Sequence, residues 1–185
     1  MTTRDVDLHG EAFFDVKDDA KRPFRVHARG AVTEVLGTEF SVRAYPDDPA
    51  TVVVVASGKV EMTRGEESTS GSPRPSVVLG RKQMGRLESK GNLTVIDDVD
   101  VDALHAWRAG RLAFEERPLR EVIRELERWY DLEIHLGDSS LVDVPVTASL
   151  SNYTADQALA IVAATLDVRQ IRQGRTVKLI SADRQ

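Results

Sequence analysis

The sequence contains no cysteine, and aromatic side chains make up only 5% of its 185 residues. Without cysteine, disulfide bonds, zinc–thiolate sites and cysteine nucleophiles are excluded. The few aromatic residues also argue against a binding groove lined by exposed rings.

Long apolar runs and long basic runs are missing as well. No apolar run approaches the ~20 residues of a membrane-spanning helix, and the opening MTTRDVDLHGEAFF lacks the basic-then-apolar layout of a signal peptide. We therefore expect nothing in these residues to export or anchor the chain. The net charge is only −5, so nucleic acid is a poor candidate partner.

The first half of the chain has the pattern of a β protein. Hydrophobic residues make up 41% and charged residues 30% of the sequence, which is the composition of a folded domain. Short alternating or apolar runs follow one another between turn residues from residue 5 to residue 95, predicting an all-β module, solenoid or jelly-roll-like. Residues 46–49 and 57–59 are predicted hairpin connections, and the polar insertion 64–75 a mobile loop.

An acidic stretch, DDVDVDALHAW, separates this module from a second one. We place the domains at residues 1–104 and 105–185. In the second domain, Pro118 is predicted at the first position of a helix. Its buried face is expected to hold Leu119, Val122, Ile123, Leu126 and Tyr130, because they recur at helical spacing.

The second domain contains an internal repeat of 36 residues. The offset superimposes Leu112 on Ala148 and Pro118 on Thr154, and it places a second apolar helical face at Ala158, Leu159, Val162 and Leu166. Thr154 and Gln157 have the form of a capping box. The complete prediction is therefore an α+β chain: an all-β module followed by a small module of two β-α-β repeats.

The chain closes with a hairpin around Gly174, and its last strand is predicted to be a sheet edge open to β-augmentation by a partner. This predicted edge comprises Thr176, Val177, Lys178, Leu179 and Ile180. A second candidate partner surface is a row of arginines along one exposed face of the first helix: Arg117, Arg120, Arg124 and Arg128. A solvated mixed-charge face explains the same row, since exposed ion pairs contribute little.

No catalytic or metal-binding pattern is present. The four histidines (His9, His27, His105 and His135) fall in separate elements without metal-ligand spacing. The acidic stretch 97–102 lacks the Gly and closing Glu of a calcium loop and is interpreted as a solvated linker. Nucleophile-elbow and phosphate-loop motifs do not occur. We expect no enzymatic activity and no cofactor.

Four motifs in order resemble the FecR family: GEAFFDV at residues 10–16, PFRV at 23–26, VLGTEFSV at 35–42 and VASGKV at 55–60. LGRKQ at 79–83 and WRAGRLAF at 107–114 are similar to later family motifs. The C-terminal part is similar to the secretin/TonB short domain found in FecR-type regulators. Gly37 and Gly58 are expected where strands turn, with positive φ.

The resemblance implies a signalling role in the periplasm. A FecR-type protein spans the inner membrane once, receives the signalling domain of a TonB-dependent outer-membrane receptor, often for iron uptake, and controls an extracytoplasmic-function sigma factor through a cytoplasmic segment. The sequence departs from this pattern: the cytoplasmic segment, the membrane helix and the first strands before the GEA motif are expected to be absent. Contact with the sigma factor is therefore not assigned to these residues.

Two other functions stay open. The β module could bind a carbohydrate or another small molecule, which exposed aromatic residues in a groove would favour. The doubled β-α-β part could self-assemble in a ring, which size-exclusion chromatography would detect. The working hypothesis is a non-enzymatic protein–protein signalling domain.

Overall fold

The computed structural model describes residues 4–65 and 74–181. The chain is α+β and mainly β. It forms two compact units, Met1–His105 (unit 1) and Ala106–Gln185 (unit 2).

Unit 1 contains two open five-stranded sheets. The first sheet has the spatial order β1 (Arg4–Leu8), β3 (Phe24–Ala28), β4 (Ala31–Val35), β7 (Lys59–Arg64) and β8 (Ser76–Gly80). The second has the order β10 (Leu93–Ile96), β9 (Met84–Glu88), β6 (Ala50–Ser57), β5 (Thr38–Ala44) and β2 (Gly10–Val16). Only the β1–β3 pair is parallel among these described strands.

The core of unit 1 collects the inward side chains of both sheets. Alternation along the strands sets which residues face inward, as in β4, where Ala31, Thr33 and Val35 are buried and the residues between them are not. Phe40, Val53 and Met62 are fully buried in this core. The predicted solenoid or jelly-roll character of the module stays a prediction.

The predicted connections in unit 1 have different outcomes. Residues 45–49 join the antiparallel strands β5 and β6, so the hairpin prediction is confirmed. The hairpin predicted at residues 57–59 is wrong, because β6 and β7 lie in different sheets and the chain crosses between the sheets there. The predicted mobile loop falls largely on residues 66–73, which lie outside the described residues.

The two motif glycines have different structural roles. Gly58 has φ +87°, and a Cβ there would lie 2.8 Å from the Gly37 carbonyl oxygen. Gly37 does not have the expected positive φ. Glycine is required there by close packing, since a Cβ would lie 2.7 Å from Asp18 Cα.

The acidic stretch at the end of unit 1 contains a short helix rather than only a linker. Helix α1 spans Val101–Leu104, and the Asp100 side chain caps it by accepting a hydrogen bond from the Ala103 amide. His105 follows; its Nε2 lies 2.9 Å from Ser41 Oγ, and its ring packs edge-on against Phe13. A 3-10 helix, Ala106–Ala109, opens unit 2.

The described part of unit 2 contains two α-helices, two small sheets, and a second short 3-10 helix, Ser139–Leu141, besides the one that opens the unit. The helices are α2 (Leu119–Tyr130) and α3 (Ala155–Leu166). The two-stranded sheet pairs β11 (Arg111–Pro118) with β13 (Pro145–Ser151), and the three-stranded sheet has the order β12 (Glu133–Leu136), β15 (Thr176–Ser181) and β14 (Val168–Gln173). Side chains from both helices and both sheets form one core.

The helix predictions agree closely with the structure. In α2, Leu119, Val122, Ile123 and Leu126 are buried, while Tyr130 is partly buried. The Thr154–Gln157 capping box is present at the start of α3. Pro118 lies one residue before its predicted place, at the N-cap of α2.

The 36-residue offset also appears in the geometry. Both helices have 12 residues, and both end at an aspartate with left-handed backbone, Asp131 and Asp167. In the two-stranded sheet Ala113 pairs with Ser149, its own equivalent in the repeat. The equivalent strands β11 and β13 therefore pair with each other, whereas the equivalent strands β12 and β14 lie on either side of β15.

Candidate partner-binding surface

The last strand, β15, is not a sheet edge, so this prediction is wrong. It pairs in parallel with β12 on one side and antiparallel with β14 on the other. The final hairpin therefore places β15 in the centre of the sheet, where its backbone groups are engaged by two neighbours. Among the described strands of this sheet, β12 and β14 form the two edges.

The side chains predicted to bind a partner on β15 divide between the two faces of the sheet. Val177 and Leu179 are 0% and 1% exposed and belong to the core. Thr176 and Lys178 are exposed on the outer face, and Ile180 is half-buried there. Of the five residues predicted to bind a partner, only Thr176, Lys178 and Ile180 can therefore contact one.

The outer face extends onto the two edge strands. His135 of β12 lies beside Lys178, and Lys178 lies beside Ile171 of β14. Ile171 is 43% exposed, a large apolar side chain between the polar residues Gln170 and Arg172. Sequence reasoning missed Ile171. The available signal was an isolated isoleucine among polar residues of VRQIRQ, on the opposite side of the strand from Val168.

Two arginine–aspartate contacts fix the β14–β15 hairpin to the helices. Arg172 Nη1 lies 2.6 Å from Asp156 Oδ1 at the start of α3. Arg175 contacts the Asp131 carboxylate at the end of α2, and its Nε donates to the Asp131 carbonyl oxygen at 3.0 Å. These exposed contacts connect the hairpin to both helices, although each exposed pair contributes little stability.

The arginine row on α2 is not the uniformly exposed face predicted from sequence. Arg120 is exposed and paired with Asp143, while Arg117 lies 3.1 Å from Glu121. The Arg128 side chain is only 19% exposed and lies near Glu125. Arg124 is half-buried. The arrangement resembles a mixed-charge helix surface more than a continuous basic patch.

No metal-binding group of three or more His, Asp or Glu side chains occurs in the described residues. The histidines stay apart: His27 contacts Asp5, His105 contacts Ser41, and His135 contacts Glu133. No helix in the described part of the chain is long and apolar enough to span a bilayer.

Comparison with known protein families shows to which family the chain belongs. The FecR protein family matches residues 2–61, and the family of FecR C-terminal regions matches residues 111–179. The chain belongs to the FecR family. The two matches lie in unit 1 and unit 2 respectively.

Solved structures extend the similarity to nearly the whole chain. Two crystal structures of a "putative anti-sigma factor" from Parabacteroides distasonis are similar, with TM-scores of 0.81 and 0.80 and identities of 28% and 29%. Each alignment covers 98% of this chain, and the coverage of the other chain is 82% and 81%. None of the curated protein sequences matches. These relatives support regulation of a sigma factor as the general role and carry a regulatory rather than an enzymatic description.

Proposed function

We propose that this FecR-family chain is the periplasmic signalling part of a transmembrane sigma-factor regulator. It relays the state of a TonB-dependent outer-membrane receptor by direct protein–protein contact. In the complete regulator a membrane helix anchors it to the inner membrane, and a cytoplasmic segment acts on the extracytoplasmic-function sigma factor. The family match over both units and the anti-sigma relatives support this role.

The observation that carries the docking proposal is the outer edge of β14, along which no described strand pairs, beside the exposed face of the three-stranded sheet. A receptor signalling domain adds a strand to β14 and contacts Ile171, Lys178 and Thr176. Backbone hydrogen bonds give such a contact affinity, and the outward side chains give it specificity. β14 replaces β15 as the augmented strand, because both sides of β15 are already paired.

The arginine face of α2 is the alternative docking surface. Arg120, Arg124 and Arg128 remain candidates. However, Arg120 is already paired with Asp143, and Arg128 is largely buried. A partner would have to compete with acidic residues of the same surface, so we rank this surface below the sheet.

The test is a titration of the ¹⁵N-labelled chain with the signalling domain of its cognate receptor. Wild type should show saturable shifts concentrated in β14 and β15. Ile171→Asp places a charge in the contact and should weaken binding by roughly tenfold or more. Val78→Asp is the matched control, since Val78 is an exposed apolar residue, 65% exposed, on a strand of unit 1.

The outcomes separate the surfaces. Shifts confined to α2, together with loss of binding in Arg120→Gln but not Ile171→Asp, would move the docking site to the helix. Equal weakening by Ile171→Asp and Val78→Asp would contradict docking on this sheet. The proposed function would be overturned if the receptor domain, added up to high micromolar concentration, caused no saturable shift in the labelled chain.

A further inference from the structure

Unit 1 contains a cavity of about 310 Å³ at one end of its two sheets. It lies among the β3–β4 turn, the end of β7 and the β9–β10 turn. Thr51 and Leu87, 2% and 5% exposed, belong to its lining and to the buried interior. The volume is at the small end of ligand-binding cavities.

Arg29 lines this cavity, and two loops, residues 45–49 and the β9–β10 turn, hold its guanidinium group in place. Its Nη1 donates to the Tyr45 carbonyl oxygen at 2.9 Å and to the Asp48 carbonyl oxygen. Its Nη2 donates to Ser89 Oγ at 3.1 Å. All of these acceptors are neutral oxygens, so none of these hydrogen bonds neutralises the positive charge.

Arg64 supplies the second guanidinium. The group lies against Gly91, where φ is +86° and a Cβ would lie only 2.5 Å from Arg64 Cζ. Glycine at this position therefore leaves room for the arginine head. Among residues 4–65 and 74–181, no carboxylate lies within ion-pair distance of either Arg29 or Arg64.

One acidic residue, Glu88, also lines the cavity. Its carboxylate lies 3.8 Å from Arg86 Nε. The cavity thus combines two guanidinium groups, one carboxylate and the Ser89 hydroxyl. This set favours an anion, because guanidinium groups bind carboxylates and phosphates through paired, charge-assisted hydrogen bonds.

We propose that this cavity binds a small molecule bearing one phosphate or carboxylate group, held by Arg64 with Arg29 as the fixed second charge. The Ser89 hydroxyl and the Thr51 side of the cavity contact the neutral body of the ligand. The site lies in unit 1, whereas the proposed receptor contact lies in unit 2. A result that contradicts the anion site therefore does not contradict the receptor contact, and the reverse also holds.

The experiment titrates the ¹⁵N-labelled chain in low-salt buffer with inorganic phosphate, glucose 6-phosphate, glucuronate and uncharged glucose. The amides of Gly30, Gly65 and Gly91 should shift saturably with at least one anionic probe and not with glucose. Phosphate and glucose 6-phosphate against glucuronate distinguish the two anion types. The absence of a saturable shift with all three anions would overturn the proposal.

Three charge variants sharpen the test. Arg64→Gln should weaken binding roughly ten- to a hundredfold, as expected for loss of hydrogen bonds to a charged group. Glu88→Gln removes a like charge and should tighten binding, roughly threefold or more. Arg81→Gln, in the β8–β9 turn at the other end of β9, removes the same charge as Arg64→Gln and should change affinity by less than about twofold.

Two results among these variants would contradict the site. An effect of Arg81→Gln as large as that of Arg64→Gln would show general attraction of anions by net charge. Weaker binding in Glu88→Gln would exclude an anion beside that carboxylate. Arg29 is left unchanged, because its substitution would release the two loops that it contacts and confuse a folding defect with a binding defect.

A final variant tests whether carboxylates of the chain itself occupy the cavity in place of a ligand. Glu66 and Glu67 follow Gly65 in the sequence. The double variant E66Q/E67Q should bind the anionic probe at least as tightly as wild type. Binding that appears only in the double variant would show that the chain itself occupies the cavity, and it would overturn a ligand site.

Discussion

At the scale of a single residue, Tyr130 couples the stability of unit 2 to alkaline pH. Its hydroxyl donates to the Tyr153 carbonyl oxygen at 3.0 Å, and burial raises the pKa of the Tyr130 phenol above its ordinary value of 10.0. The folded state therefore holds this proton more tightly than the unfolded state does. The resulting stabilisation is present below the unfolded pKa and is lost as pH rises through the folded pKa.

Tyr130→Phe should remove this dependence. In urea unfolding between about pH 9 and pH 11, the free energy of unfolding of wild type should fall more steeply than that of the variant. Lysines and the other tyrosines contribute to both proteins, so the difference isolates Tyr130. Equal slopes in the two proteins would contradict a raised Tyr130 pKa.

Residue roles were predictable from the sequence only where they depend on neighbours along the chain. The Thr154–Gln157 capping box was predicted because both partners lie within one helical turn. The cavity around Arg29 and Arg64 was not predicted, because it joins residues from four separate stretches of the chain. Ile171 was missed because its exposure depends on which side of β14 faces the core.

At the scale of an element, the ends of α2 and α3 allow a direct test of the repeat. Asp167 ends α3 with φ 52° and ψ 47°, a conformation that glycine adopts without steric cost. Asp167→Gly should stabilise the chain by about 0.5–1 kcal/mol, and Asp167→Ala should destabilise it by a similar amount. Urea unfolding should therefore rank the three proteins Gly, Asp, Ala in falling stability.

The equivalent change at the end of α2, Asp131→Gly, should stabilise the chain by less than Asp167→Gly does. Asp131 has the same backbone conformation but also contacts Arg175, and Asp131→Gly loses that exposed ion pair. The gain from glycine should therefore be partly cancelled, since such pairs contribute up to about 1 kcal/mol. A larger gain at Asp131 than at Asp167 would contradict this account.

Helices were predictable because their sequence pattern is local. The order of strands within a sheet was not predictable. Helical spacing and the 36-residue offset located α2 and α3, because both signals lie within one stretch of sequence. The position of β15 between β12 and β14 depends on pairing with Glu133–Leu136, some 40 residues earlier along the chain. The sequence of β15 alone does not distinguish a central strand from an edge.

At the scale of the whole molecule, the two units have separate hydrophobic cores. One core lies between Val26 and Leu87 in the sequence and the other between Leu112 and Leu179. A destabilising change in one core should therefore act mainly on its own unit. This separation matters for function, because receptor contact on unit 2 and anion binding in unit 1 are proposed as distinct events.

Core truncations test the separation. Phe40→Ala should lower the stability of unit 1 by about 3–5 kcal/mol, and Leu159→Ala that of unit 2 by about 2–5 kcal/mol, because both side chains are fully buried. Leu159→Met keeps the volume and should cost less than about 1.5 kcal/mol. Hydrogen exchange followed by mass spectrometry reports each unit separately. If Leu159→Ala deprotected β5 and β6 as strongly as α3 and β14, the units would unfold as one cooperative body, and a signal received by unit 2 could then pass directly into unit 1.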